Sequence, residues 1–228
     1  MSRRAASCCA SSRRAPGRKA QGRRPWGAAK TLLWIGAGFA MGGIPNGRIV
    51  ARAVSGEALE DLGDGKPGSS NVARSLGWKP GALTLALDAG KAYVPAAAAR
   101  LAGAGEGTVA AVGIATMLGH IAMVKGRGAA CGLGAAFAMD AKMMTIDLVP
   151  VVGGTALHRH AEGVSLTAFA LPLTSLALHR DQPSRALGPL ALIAVIFGAR
   201  LRGTPGAGLP DSPKAWWYRF WLDRDTKE

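Results

Sequence analysis

Two turns in this 228-residue chain hold residue types suited to binding a phosphorylated substrate. The first is GDGKPGSSNVARSLG at 63–77, rich in glycine and hydroxyl and amide side chains, with Lys66 and Arg74 as cations. The second is KGRG at 125–128, five residues beyond His120 in LGHIAMV. Glycines allow backbone N–H groups to converge into an anion-binding nest, and Lys or Arg adds charge. Neither turn has the G-x-x-x-x-G-K-[ST] spacing of a P-loop, so the signal is for a phosphate in general. A hinge would account for the first turn alone, and interfacial packing for a lone histidine at a helix end. Two glycine-basic turns in one chain favour the cradle.

A third group is Asp88 and Lys91 in LTLALDAGKAYVP. Three residues apart, they share a helix face and are close enough to pair, either as a structural ion pair or as the lining of a polar cavity. His158 and His160 in LHRH have no carboxylate or thiol cluster nearby and read as a solvated loop, so no metal site is expected. Cys8, Cys9 and Cys131 form neither a disulfide framework nor a metal spacing.

The elements that must position these groups are apolar. The composition is 49% hydrophobic with 32 glycines, and Leu, Ala, Gly and Val gather in blocks at 27–44, 81–99, 107–124, 128–140, 143–157, 163–178 and 186–200. Blocks approaching ~20 residues with few charges read as membrane spans. A single block would fit a buried core helix, but seven in one chain exclude an ordinary soluble protein. Small residues also suit helices that pack in lipid. The expected fold is an all-α integral membrane protein of about seven short transmembrane helices.

Residues 1–26 carry eight Arg or Lys and no acid, and read as a disordered basic arm that touches anionic lipid. No recognition motif follows the arm, so nucleic acid is not an expected partner. Leaving the arm aside, loops 45–80, 125–127 and 158–162 and the tail from Arg200 hold 14 Lys and Arg, opposed by Arg100, Arg180 and Arg185. The positive-inside rule then places both glycine-rich turns on the cytoplasmic side. KAWWYRFW, near the end, reads as an amphipathic interfacial helix.

Taken in order, these motifs resemble the bacterial membrane-integral acyl-phosphate-dependent glycerol-3-phosphate acyltransferases. That family shows GSxP after the first span, then GSGNxGATNxxRxxG, LDxxKGxxP, LGHxFPVF and KGGKGxAT. This chain has GGIP at 42–45, GDGKPGSSNVARSLG at 63–77, LDAGKAYVP at 87–95, LGHIAMV at 118–124 and KGRGAAC at 125–131, so the likeness covers about residues 30–135. The resemblance divides the chain into the arm, an acyltransferase-like transmembrane domain at 27–205 and a basic-aromatic tail at 206–228.

It implies transfer of an acyl group from acyl phosphate to glycerol 3-phosphate, giving lysophosphatidate in phospholipid synthesis at the bacterial plasma membrane, without a cofactor. It also implies roles residue by residue. Arg52 and His120 fall to catalysis, joined by Ser70, which with Ser69 is the nearest hydroxyl in the motif loops to replace the motif serine that is Gly43 here. Gly63, Gly65, Gly68, Asn71, Arg74, Lys91, Lys125, Gly126, Arg127 and Gly128 fall to substrate binding, and Asp88 and Gly119 match the later motifs. Arg52, Arg74 and Lys125 are expected to converge with the 63–71 loop on one anion site.

The departures are specific. Gly43 stands at the family's motif serine, Asp64 and Lys66 replace a serine and an asparagine, and Glu60 replaces an arginine. KGRG is one residue shorter than KGGKG. Residues 194–201 align with HxxNIxRL but keep only Arg200 and Leu201. These changes leave a second reading, a non-catalytic relative that binds a phosphorylated metabolite, a lipid or a partner enzyme. A small-anion transporter would show an internal repeat, and none is present.

Overall fold

The computed structural model describes residues 26–203 and 208–223, so the basic arm, Trp26 apart, lies outside the described residues. Every apolar block forms a helix, and no strand occurs among the described residues. The helices are α1 (Ala28–Gly42), α2 (Asn46–Ser55), α3 (Ser69–Leu76), α4 (Trp78–Leu101), α5 (Glu106–Gly119), α6 (Ala129–Met139), α7 (Ala141–Ala156), α8 (His160–Leu178), α9 (Leu187–Arg202) and α10 (Pro213–Trp217). Seven of them match the seven blocks; α2, α3 and α10 are short helices in the polar connections. A helix hides its own backbone polar groups, which lipid cannot satisfy. Among the described residues, three stretches are long and apolar enough to cross a membrane: Glu106–Val124, His160–Leu178 and Pro183–Arg202.

Small residues set the packing. A Cβ on Gly42 would lie 2.1 Å from the Thr116 carbonyl oxygen, and one on Gly119 would lie 2.0 Å from that of Phe39. Only glycine allows α1 and α5 this approach, and it brings the GGIP turn against the start of LGH. The core below, built from Met117, Cys131, Met143, Met144, Leu192 and Phe197, joins α5 through α9. Leu32, Leu33, Leu83, Val149, Leu173 and Leu190 point outward, as an apolar surface facing acyl chains should.

The connections 43–77 and 120–128 and the tail segment 208–223 gather at one end of the bundle. The opposite end carries Arg100, Arg180 and Arg185, joined by Lys142 in the first turn of α7. At that opposite end Glu106 pairs with Arg100 and Arg185, and His179 Nε2 lies 2.5 Å from Asp140 Oδ2, around a cavity of about 310 Å³. Burial would raise the Asp140 carboxyl, but the hydrogen bonds with His179 and from the Met143 N–H outweigh it and hold it below its ordinary range. This network ties together the ends of α4 through α9 and contains no residue expected in the site.

Candidate active site

The motif turns meet on a buried polar cluster. Lys91, on α4, is a donor-only ammonium with three N–H groups, and each has an acceptor. Its Nζ lies 2.9 Å from Asp88 Oδ1, 2.8 Å from the Ile44 carbonyl oxygen in the GGIP turn, and 2.8 Å from His120 Nδ1. Asn46 Nδ2, in the first turn of α2, donates to the same Asp88 oxygen at 3.1 Å. Asp88 and Lys91 side chains are each 3% exposed, and His120 is buried too. Since Lys91 donates to Nδ1, the ring hydrogen of His120 belongs on Nε2.

That Nε2 faces the KGRG turn, where a Cβ on Gly126 would lie 2.1 Å from it. The helix widens here, from α5 into a looser turn over His120–Val124, and ends at Lys125 with φ 66°. Such widened turns recur at functional sites. Lys125 is exposed, as is Arg52 in the last turn of α2. Asp88, His120 and Cys131 also offer donor atoms within 4.8 Å of one another. The Lys91 ammonium already bridges Asp88 and His120, so the positive charge a cation would bring is in place.

The 63–77 loop is organised from within. Asn71, 1% exposed, donates from Nδ2 to the carbonyls of Leu62 and Lys66 at 2.9 and 3.2 Å, and its Oδ1 accepts from the Asp64 N–H at 3.1 Å. Gly63 has φ 56° and sits tight on that same oxygen, where a Cβ would lie at 2.3 Å. The loop rests on a small core of Val50, Ala51, Leu59 and Val72. Its cations face solvent already paired: Arg74 Nη2 is 2.7 Å and Lys66 Nζ 3.7 Å from Asp64 Oδ2. Glu60 pairs with Arg48, and its own backbone hydrogen bond and that pairing lower its pKa. Ser70 is exposed in the first turn of α3, and Gly65 and Gly68 shape the turn before it.

Arg127 lies 2.6 Å from Asp223 Oδ1 in the tail, and Gly128 closes the turn with φ 78°. Gly43, at the serine position of the motif, has φ −70° and ψ −9°, a conformation open to any residue. A Cβ there would meet the mobile Met123 thioether, with Cε at 2.6 Å. His158 and His160 are exposed. Asn46 and the Ile44 carbonyl escaped sequence reasoning. Only their place, Ile44 within the GGIP turn and Asn46 just after it, hinted at them.

Fold and cluster together define an all-helical integral membrane protein with its polar machinery gathered at one end of the bundle. A family model described as glycerol-3-phosphate acyltransferase matches residues 32–203. The glycerol-3-phosphate acyltransferase of Geobacter sulfurreducens is 34% identical over 171 residues, covering 72% of this chain and 87% of that protein. That of Anaeromyxobacter dehalogenans strain 2CP-C is 38% identical over 146 residues, covering 60% and 73%. The crystal structure of PlsY, an integral membrane glycerol 3-phosphate acyltransferase in its glycerol 3-phosphate form, superposes with TM-score 0.66 at 24% identity, covering 75% of this chain and 88% of that one. Its lysophosphatidic acid form gives 0.65.

This chain belongs to the glycerol-3-phosphate acyltransferase family. The matched segment runs past the quoted motifs to residue 203. Bacterial relatives, integral membrane neighbours and three membrane-length helices make it a multi-pass protein of the plasma membrane.

Proposed function

We propose that the chain transfers an acyl group from acyl phosphate to glycerol 3-phosphate, yielding lysophosphatidate and phosphate for phospholipid synthesis. The observation that carries this reading is Lys91, whose three hydrogen bonds join the GGIP turn, Asp88 and His120 beneath the KGRG turn. An acyl phosphate is a mixed anhydride and needs no further activation. The acceptor hydroxyl oxygen bonds to the acyl carbon, the bond from that carbon to the phosphate oxygen breaks, and the departing phosphate takes the hydroxyl proton. The protein's share is positioning and charge neutralisation.

Lys91 fixes the His120 ring, whose Nε2–H acts as a donor toward the reacting group rather than as a base. Arg52 and Lys125 supply exposed charge at this end, and Arg74 with the glycine turn at 63–68 takes the acceptor phosphate, with Ser70 beside it. Gly126 and Gly128 give the second turn its close approach. Asn71 serves by shaping the loop. The turns face the cytoplasm, by the excess of Lys and Arg at this end, and the basic arm and the tail indoles meet anionic lipid.

Purified protein in lipid, given acyl phosphate and glycerol 3-phosphate, should release lysophosphatidate and phosphate in equal amounts. Folded protein that binds glycerol 3-phosphate yet forms no product overturns the reading. For the orientation, an impermeant thiol reagent should fail to label a cysteine placed in the tail of intact cells.

A further inference from the structure

Asp223 lies 20 residues beyond the segment that matches the family, yet it grips a residue of a family motif. Its Oδ1 lies 2.6 Å from Arg127 Nη1, its backbone carbonyl accepts from the same nitrogen, and Arg200 Nε stands 3.7 Å away. The tail is seated firmly enough to hold it. Phe220 stacks on Phe197 at 4.3 Å, Ser165 Oγ donates to the Trp221 carbonyl at 2.7 Å, and Arg200 donates to Ser165 Oγ at 2.7 Å and to the Phe220 carbonyl at 3.1 Å.

The other end of the grip is the turn at 125–128, which begins and ends on left-handed residues, Lys125 and Gly128. A non-glycine residue with positive φ is strained, and such strain persists only where the surroundings over-determine it. Between them, Gly126 packs against His120 Nε2.

We propose that Asp223 is a positioning residue for acyl transfer: through Arg127 it holds the 125–128 turn over His120, which makes the tail a working part of the site. The proposal rests on the placement of the site at His120 given above. Burial pushes the Asp223 carboxyl above its ordinary range, against the pull of Arg127, Arg200 and, more weakly, Lys66. As pH falls through that raised value, Asp223 takes a proton and the grip loses its charge.

The test measures kcat and KM for glycerol 3-phosphate in the full chain, with gel filtration as the check of folding. The neutral Asp223 variants keep the bond from Arg127 to the backbone carbonyl and lose the ion pair at 2.6 Å, and losing a contact to a charged group corresponds to roughly ten- to a hundredfold. Asp223→Ala should lower kcat by about that factor with a smaller change in KM. The near-isosteric Asp223→Asn should lower kcat less and move the acid limb of the pH profile to lower pH. Asp223→Glu should restore part of the rate, and Arg127→Ala combined with Asp223→Ala should be no worse than the poorer single variant. Wild-type kcat in both neutral variants, with Arg127→Ala impaired, overturns the proposal and leaves the site intact. A loss that glutamate does not restore, and that adds to the Arg127→Ala loss, also overturns it. An unimpaired His120→Ala would remove the site itself, and the proposal with it.

Discussion

The buried cluster around Lys91 and the exposed loop at 63–77 both hold opposite charges in contact, but they obey different physics. Asp88 and Lys91 are 3% exposed, and every Lys91 donor is spent on a protein acceptor. Two charges out of water are costly to bury and costlier still to leave unpaired, so this cluster exists in one arrangement or not at all. In the loop, Arg74 is 61% and Asp64 36% exposed, and exposed pairs of this kind contribute little. The first region can fix the orientation of a histidine. The second can release its pairing to an arriving phosphate. A site for two anionic substrates uses both, a rigid floor and cations that change partners.

The largest break in that contrast should come from Lys91→Ala. It leaves Asp88 buried without its cation, a loss of about 3–5 kcal/mol, so thermal unfolding in detergent should shift sharply downward and turnover should vanish. His120→Ala should separate function from folding. Removing one well-placed donor lowers kcat by about 10²–10³, while the unfolding temperature moves far less than for Lys91→Ala. An equal thermal loss would make His120 a structural residue. On the exposed side, Arg74→Ala should raise KM for glycerol 3-phosphate roughly ten- to a hundredfold with kcat nearly kept. Unchanged KM would place the acceptor phosphate elsewhere.

Smaller effects sharpen the picture. Asp64→Asn removes the carboxylate that competes with phosphate for Arg74 and Lys66, so KM should fall a few-fold and the effect should fade in high salt, as surface pairs do. Higher KM would mean that Asp64 helps to place the two cations. Gly43→Ser should be the mildest change, with activity kept or raised, because the Met123 side chain can move aside and the Ala40 carbonyl, 3.2 Å from the new Cβ, need give only slightly. Gly42→Ser, one residue earlier, meets the Thr116 carbonyl and should not fold, which makes it the control.

Much of this was legible in the chain. Each apolar block became one helix, and the polar motifs gathered at one end, in the connections and, for LDAGKAYVP, inside α4. The Asp88–Lys91 pair followed from three-residue spacing on a helix. The loop behaved differently. Asn71, expected at the substrate, is buried and turns its carboxamide to the loop's own backbone, adding a second donor to the carbonyls of Leu62 and Lys66 and accepting from the Asp64 N–H. No local pattern announces that use of an asparagine.

What the sequence determined alone is what neighbouring residues dictate to one another: apolar runs that must become helices in lipid, glycines that permit turns, and cations clustered at one end. The tertiary structure decided the long-range pairings. Lys91 meets His120 and the Ile44 carbonyl because α1, α4 and α5 pack closely through small residues, and Arg127 meets Asp223 across 96 residues because aromatic stacking seats the tail. Charge and hydrogen bonding act over a few ångströms of space, whatever the distance along the chain. Those partners therefore become visible only once the helices have brought them together.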